Sequence, residues 1–176
     1  MLTMTANVLI IVDMLNDFID EKGALFCGRQ SRDIIPFIQQ RLSHYRNEGE
    51  PVIFLADAHN PDDLEFQKFP KHCIAGSWGS TVIAELTPRG DEMIIHKKRY
   101  SGFYGTELDK VLAGLQPASV EVVGVCTSIC VMDTVGGLAN RDYRIKVPIG
   151  GVADFNPEFH ELALKRMQQL YGAAVA

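Results

Sequence analysis

Apolar residues run along this chain in short bursts separated by stretches of helical periodicity. NVLIIVD, residues 7–13, is a β-branched run that ends on an acid, and such a run reads as a parallel strand buried on both faces. In DIIPFIQQRLSHYRNEG, 33–49, residues Ile34, Phe37, Ile38, Leu42 and Tyr45 recur at helical spacing, and Gly49 supplies a stop. PVIFLAD, 51–57, is a second strand that also ends on an acid. Residues 58–77, with Pro61, Pro70 and Gly76, predict a loop of a length that is uncommon unless it has a function. A short helix is expected over 80–86, a strand over 92–98, a helix over 105–115 that Thr106 could cap, and a strand over 119–125. A helix over 128–142 carries Gly136 and Gly137 for close packing, and 143–151 reads as a fifth strand. A last helix over 156–172 has Asn156 at its N-cap and Pro157 in its first turn, and AAVA at the end of the chain begins a sixth strand.

Strand and helix alternate throughout, so the pattern predicts an α/β three-layer sandwich. Its sheet is mainly parallel and Rossmann-like, flanked by helices on right-handed crossovers. No repeat, linker or low-complexity segment interrupts residues 1–176, which reads as a single domain. In open sheets of this kind ligands sit beyond the carboxyl ends of the strands. Asp13, Asp57, His59, Lys97 and the turn before Cys130 all fall at those ends.

Composition narrows the partner. Of 176 residues 47% are hydrophobic and 22% charged, and the net charge of −5 argues against nucleic acid or an anionic membrane surface. No apolar run approaches the roughly 20 residues of a membrane helix. The opening MLTMTANVLIIVDM lacks the basic region and cleavage site of a signal peptide, so a cytoplasmic protein is expected, with its four cysteines kept as thiols. A small molecule is the expected partner, and a homo-oligomer stays open.

The candidate chemistry begins with VVGVCTSICVMD, 122–133, where Cys126 and Cys130 stand four residues apart. That spacing is compatible with a metal clip, a disulfide, a core pair, or a nucleophile beside a bystander. A thiol in the first turn of a helix meets the positive end of the dipole, which lowers its pKa, and the free N–H groups there can hold an oxyanion. Asp13 and Lys97 could supply a proton acceptor and an orienting charge to Cys130 from neighbouring strand ends. The ordinary alternatives are a buried free cysteine, a loop aspartate and a solvated lysine. Asp57 and His59, at i and i+2, point to one side and could share a metal, with His72 as a third ligand and Glu65 as a fourth. A polar loop with hydrogen-bonded histidines is the alternative there. Such an N/O set with open positions suits one divalent ion, Zn, Fe or Mn. Cys73 is expected to pack inward, His44 and His160 read as structural, and His96 is expected behind the rim.

Taken in order, these residues resemble the isochorismatase-like cysteine hydrolase superfamily, and within it the nicotinamidases. LIIVDMLNDF is similar to the strand that carries the family's catalytic acid, HKKRYSGFYGT to its lysine block, and GVCTSICV to its nucleophile block. The resemblance implies a six-stranded parallel sheet and a catalytic set of Asp13, Lys97 and Cys130. It also implies a cis peptide before Cys126, with the N–H groups of Cys126 and Cys130 aimed at the oxyanion. Asp57, His59 and His72 match the family's metal site, with Glu65 where some relatives add a ligand. Phe18, Phe69 and Tyr100 stand where relatives pack the substrate ring, and the metal would hold its pyridine nitrogen. Ala58 replaces a usual tryptophan, and GSWGS replaces a more usual glycine-rich segment. The implied reaction is hydrolysis of nicotinamide to nicotinate and ammonia through a thioester. Hydrolysis of another small amide, a carbamoyl compound or a vinyl ether is the alternative within the superfamily. A non-catalytic ligand-binding domain on the same fold is the alternative outside it.

Overall fold

The strands β1 (Asn7–Val12), β2 (Val52–Asp57) and β4 (Ser119–Val125) form the centre of the sheet, and their apolar residues divide by parity. Leu9 and Ile11 of β1 face one core, while Val8, Ile10 and Val12 face the other. This two-sided burial is why the strand has no polar alternation. The computed structural model describes residues 6–176; residues 1–5, part of the opening stretch expected to lack a leader, lie outside the described residues.

Between β1 and β2 the chain makes two short helices, α1 (Asn16–Ile19) and α2 (Gln30–Asp33), and then α3 (Ile35–Glu48). Pro36 sits in the first turn of α3, where a missing N–H costs nothing, and Gly49 ends it at φ 66°. Ile35, Ile38, Leu42 and Tyr45 bury the inner stripe of α3 against β1, β2 and β4. Strand β3 (Met93–Lys97) forms one edge. Helices α4 (Leu108–Leu115), α5 (Met132–Ala139) and α6 (Pro157–Gln169) supply Leu108, Leu112, Val135, Leu138, Leu164 and Met167 to the opposite core. The result is the expected three-layer arrangement.

The sheet order is β3-β2-β1-β4-β5-β7, with β5 at Ile145–Val147 and β7 at Ala174–Val175, and each pairing is parallel. The single strand expected over 143–151 divides. After Pro148 a 3₁₀ turn (Ile149–Gly151) intervenes, and β6 (Val152–Ala153) rejoins β4 further along. Six positions therefore hold seven strands. The chain moves outward from β1 through β2 to β3, then returns to pair β4 on β1's other side, so the switch point lies between β1 and β4.

Several local expectations shift. The helix expected over 80–86 is two 3₁₀ turns, Trp78–Ser80 and Ala84–Leu86, and the long loop holds another at Leu64–Gln67. Helix 128–142 opens as a π-helical turn, Thr127–Val131, before α5. His96 is exposed rather than packed: β3 is an edge strand, and Ile94 and His96, on the same face of it, are both open to solvent. Asn156 caps α6, its Oδ1 accepting from Glu158 N at 2.9 Å and Phe159 N at 3.1 Å.

Candidate active site

Asp13 follows β1, Asp57 ends β2, Lys97 ends β3, and Cys130 lies in the turn after β4. Parallel register aligns these ends, pairing Asp57 with Lys97 and Val12 with Gly124. Asp13 takes a left-handed conformation, φ 51°, uncommon for a side-chain-bearing residue. Its N–H donates to Leu55 O at 3.0 Å and its Oδ1 accepts from Asp57 N at 3.0 Å, so the neighbouring strand holds it.

Lys97 is the link. Its Nζ stands 2.8 Å from Asp13 Oδ2, donates to Asp57 Oδ1 at 2.5 Å and to Cys130 Sγ at 3.4 Å, and only 1% of the residue is exposed. Lys98, by contrast, reaches out to Asn60 on the surface. Burial alone would lower the Lys97 pKa, but the Asp13 and Asp57 carboxylates outweigh it and keep the ammonium charged. Asp13 is pushed up to about 6 by burial and by the charge of Asp57, against the pull of Lys97. The lowered pKa expected for Cys130 does not arise: burial, opposed by Lys97, holds the thiol above its ordinary range. The cause is depth, since the sulfur sits inside the rim beside two carboxylates rather than at a wet helix end.

Asp57 also faces a second group. Asp57, His59, Glu65 and His72 are all buried and bring ligand atoms within 4.8 Å of one another. Asp57 Oδ2 is 3.4 Å from His59 Nε2 and 4.0 Å from His72 Nε2, and Glu65 Oε1 is 4.0 and 3.8 Å from the same two nitrogens. Each imidazole uses its far nitrogen elsewhere: His59 Nδ1 meets Asp63 Oδ2 at 3.1 Å, and His72 Nδ1 meets Pro70 O at 2.7 Å. That leaves both Nε2 atoms turned inward, and buried His59 Nε2 and Glu65 Oε2 have no hydrogen-bond partner. Inward nitrogens, anchored outer nitrogens and two carboxylates are the donor set of a divalent cation site. These residues therefore fit such an ion.

The loop that carries His59 and His72 closes through a bridge between His59 and Ile74. Asp63 was not a candidate from sequence. It accepts from His59, from Glu65 N at 2.9 Å and from Arg99 Nη1 at 3.0 Å, and so fixes the loop. Its position four residues after His59 was the available signal. Cys73 packs inward as expected, its N–H donating to Asp17 Oδ2 at 2.7 Å.

A cavity of about 250 Å³ lies between the two groups. Phe18, Phe69 and Tyr100 line it, together with Asp13, Asp57, Glu65, His72 and Cys130. Leu25, Phe26, Cys27 and Phe155 also line it; none of these was a sequence candidate, because they come from segments without a legible motif. Val125, Cys126 and Ile129, at the end of β4 and in the turn after it, line it as well. The Val125–Cys126 peptide is cis, Cys126 O accepts from Ile129 N and Val131 N, and Asp154 Oδ2 accepts from Ser128 N at 2.8 Å. His160, expected to be structural, is hydrogen-bonded to Thr127 Oγ1 at 2.9 Å.

A family model, the isochorismatase domain, matches residues 7–176. The crystal structure of a nicotinamidase/pyrazinamidase from Bacillus subtilis is similar with a TM-score of 0.92 and 36% identity, covering 97% of this chain and 99% of that one. An N-carbamoylsarcosine amidase from Thermoplasma acidophilum gives a TM-score of 0.87 and 33% identity, covering 97% of this chain and 95% of its own. A pyrazinamidase of Pyrococcus horikoshii, solved in complex with zinc, gives 0.90 and 28%, covering 97% and 98%. With a match running from β1 to the end of the chain, this protein belongs to the isochorismatase family.

Proposed function

We propose that this protein hydrolyses nicotinamide to nicotinate and ammonia through a thioester on Cys130. That it is a hydrolase of amide carbon–nitrogen bonds follows from its family and neighbours; the substrate and the residue roles are our reading. The observation that carries the substrate is the cavity. Aromatic and aliphatic side chains dominate its wall, and its charged lining residues, Asp13, Asp57 and Glu65, are all acids. A neutral ring of nicotinamide's size suits it. A substrate bearing a carboxylate, such as an N-carbamoyl amino acid, would meet three acids and, among the described residues, no lysine or arginine lining the cavity.

In the mechanism we infer, Asp13 takes the proton of the Cys130 thiol as its sulfur forms a bond to the carboxamide carbon. The raised pKa of Asp13 suits a group that accepts and returns a proton near neutral pH. Lys97, touching Asp13 and Cys130, offsets the negative charge that the thiolate would bring. The N–H groups of Cys126 and Cys130 hold the tetrahedral oxyanion. Asp13 then returns the proton to the departing nitrogen, the carbon–nitrogen bond breaks, and ammonia leaves. Water, deprotonated by Asp13, attacks the thioester and releases the acid and the thiol. Asp57, His59, His72 and Glu65 would hold a divalent ion, Zn, Fe or Mn, and that ion would supply a Lewis-acid site for a neutral donor such as a pyridine nitrogen. Phe18, Phe69 and Tyr100 would pack the ring.

Ammonia release from nicotinamide by the purified protein, with and without chelator, tests this. We expect release that falls after chelation and returns on adding one divalent metal. Release from another small amide and none from nicotinamide would remove the substrate assignment and leave the amidase chemistry.

A further inference from the structure

Two buried thiols meet in the cavity wall. Cys27 Sγ lies 3.3 Å from Cys126 Sγ, although the two stand 99 positions apart in the chain. Both cysteines are free and both line the cavity, so a small reagent that reaches the reaction centre reaches them too. Their backbones are pinned. Cys27 N donates to Phe18 O at 2.8 Å, and Gln30 Nε2 donates both to Cys27 O at 3.0 Å and to Asp154 O at 2.8 Å. Cys126 O accepts from Ile129 N at 3.1 Å and Val131 N at 3.2 Å. Each thiol is thus presented to the other by a fixed main chain. The remaining cysteines have other neighbours: Cys130 contacts Lys97, and Cys73 contacts Gly79 O.

We propose that Cys27 and Cys126 form a reversible disulfide, an oxidation site in the cavity wall whose reagent is a small hydroperoxide and whose formation slows turnover. The sulfurs must close from 3.3 Å to a bond of about 2.05 Å, a movement within reach of side-chain rotation. In the first step Cys27 sulfur bonds to the terminal oxygen of the hydroperoxide, which keeps its hydrogen; the O–O bond breaks, and the displaced oxygen takes the Cys27 thiol proton and leaves as an alcohol or water. In the second, Cys126 sulfur attacks the Cys27 sulfenic acid; the S–O bond breaks, the hydroxyl departs with the Cys126 proton as water, and the S–S bond forms. A dithiol reductant reverses it by exchange. The effect on rate rests on the reading of this cavity as the substrate site. Rotating both side chains into the bond reshapes the wall that receives the substrate, and a misplacement of about 1 Å can cost about 100-fold in rate.

The test treats the reduced, full-length protein with hydrogen peroxide, maps its peptides without reduction, and measures ammonia release before and after dithiothreitol. Cys27→Ser and Cys27→Ala are carried in parallel, each compared with its own reduced form. We expect a Cys27–Cys126 cross-linked peptide, a rate loss of about 10- to 100-fold recovered by dithiothreitol, and variants that keep most of their own rate at the same peroxide dose. Absence of the cross-linked peptide from the native chain overturns the proposal. Equal losses in the variants also overturn it, since oxidation at Cys130 would then account for the effect, and so does a cross-link with no loss of rate. The peptide map needs no substrate, so failure of the nicotinamide assignment, read as no ammonia from the reduced protein, is distinguishable from failure of the disulfide.

Discussion

At the residue scale, two cysteines four positions apart have separate fates. Cys130 contacts Lys97 and stands within 4.8 Å of carboxylate oxygens of Asp13 and Asp57, whereas Cys126 turns its thiol to Cys27. The difference arises because Cys126 is the extended residue before the π-helical turn and Cys130 lies within that turn, so the two never share a helical face. Cys130→Ala should therefore abolish turnover, with kcat falling by at least about 10⁴-fold while ligand binding survives. Single-turnover kinetics with isothermal titration would check both halves, and wild-type kcat in this variant would remove Cys130 as nucleophile. The protonated state of the resting thiol also follows from position. A place in the first turn of a helix implied a low pKa, but the sequence does not state depth, and depth decides it here.

At the element scale, the loop between β2 and β3 carries His59, Glu65 and His72, which with Asp57 of β2 would hold a cation, and Asp63 holds the loop in shape. Asp63→Asn removes the charge that orients His59 and meets Arg99. Loss of such an outer partner typically weakens metal affinity by about 10- to 100-fold. Metal retained after dialysis against graded chelator, read by mass spectrometry, should fall accordingly; unchanged retention would show that Asp63 does not support the site. The turn after β4 depends on a different feature. Gly124, at φ 119°, approaches β1 so closely that a Cβ would lie 2.0 Å from Val12 O. Gly124→Ala should lose roughly 1–3 kcal/mol of stability from overpacking, with further loss from the unfavourable φ. Denaturant unfolding of this variant with an unchanged midpoint would contradict the packing described for this strand pair.

At the scale of the whole molecule, polar straps tie the outer helix to the sheet. Arg41 of α3 grips buried Glu121 of β4 at 2.6 and 2.8 Å, which explains a glutamate inside an otherwise apolar strand. Arg46 of α3 holds Glu92, just before β3, at 2.6 and 2.7 Å. Burial alone would raise the Glu92 pKa, but the Arg46 hydrogen bonds outweigh it and hold it below its usual 4.5. A depressed carboxylate contributes stability that is full above its unfolded pKa and lost as pH falls through the folded one. Glu92→Gln should therefore cost roughly 2 kcal/mol near neutral pH, with the gap to the wild type closing below about pH 4.5. Thermal melts from pH 7 to pH 3 would show this, and a gap independent of pH would rule out the charge as its source.

The sequence by itself determined the layers and the blocks. Runs such as 7–13 and 119–125 are apolar on both parities because helices cover both faces, and that signature is local. Asp13, Asp57 and Lys97 were legible for the same reason: each closes or follows a strand, and parallel strands carry their ends to one rim. Contacts made through space were not legible. The tertiary structure decided that Cys27 faces Cys126, that Asp63 anchors His59, and that Phe155 and Leu25 complete the cavity. It also decided that His96 faces solvent and that the fifth strand breaks after Pro148. These features depend on which segments meet across long stretches of chain and on how deeply they are buried. Periodicity reports only which way a residue points within its own element.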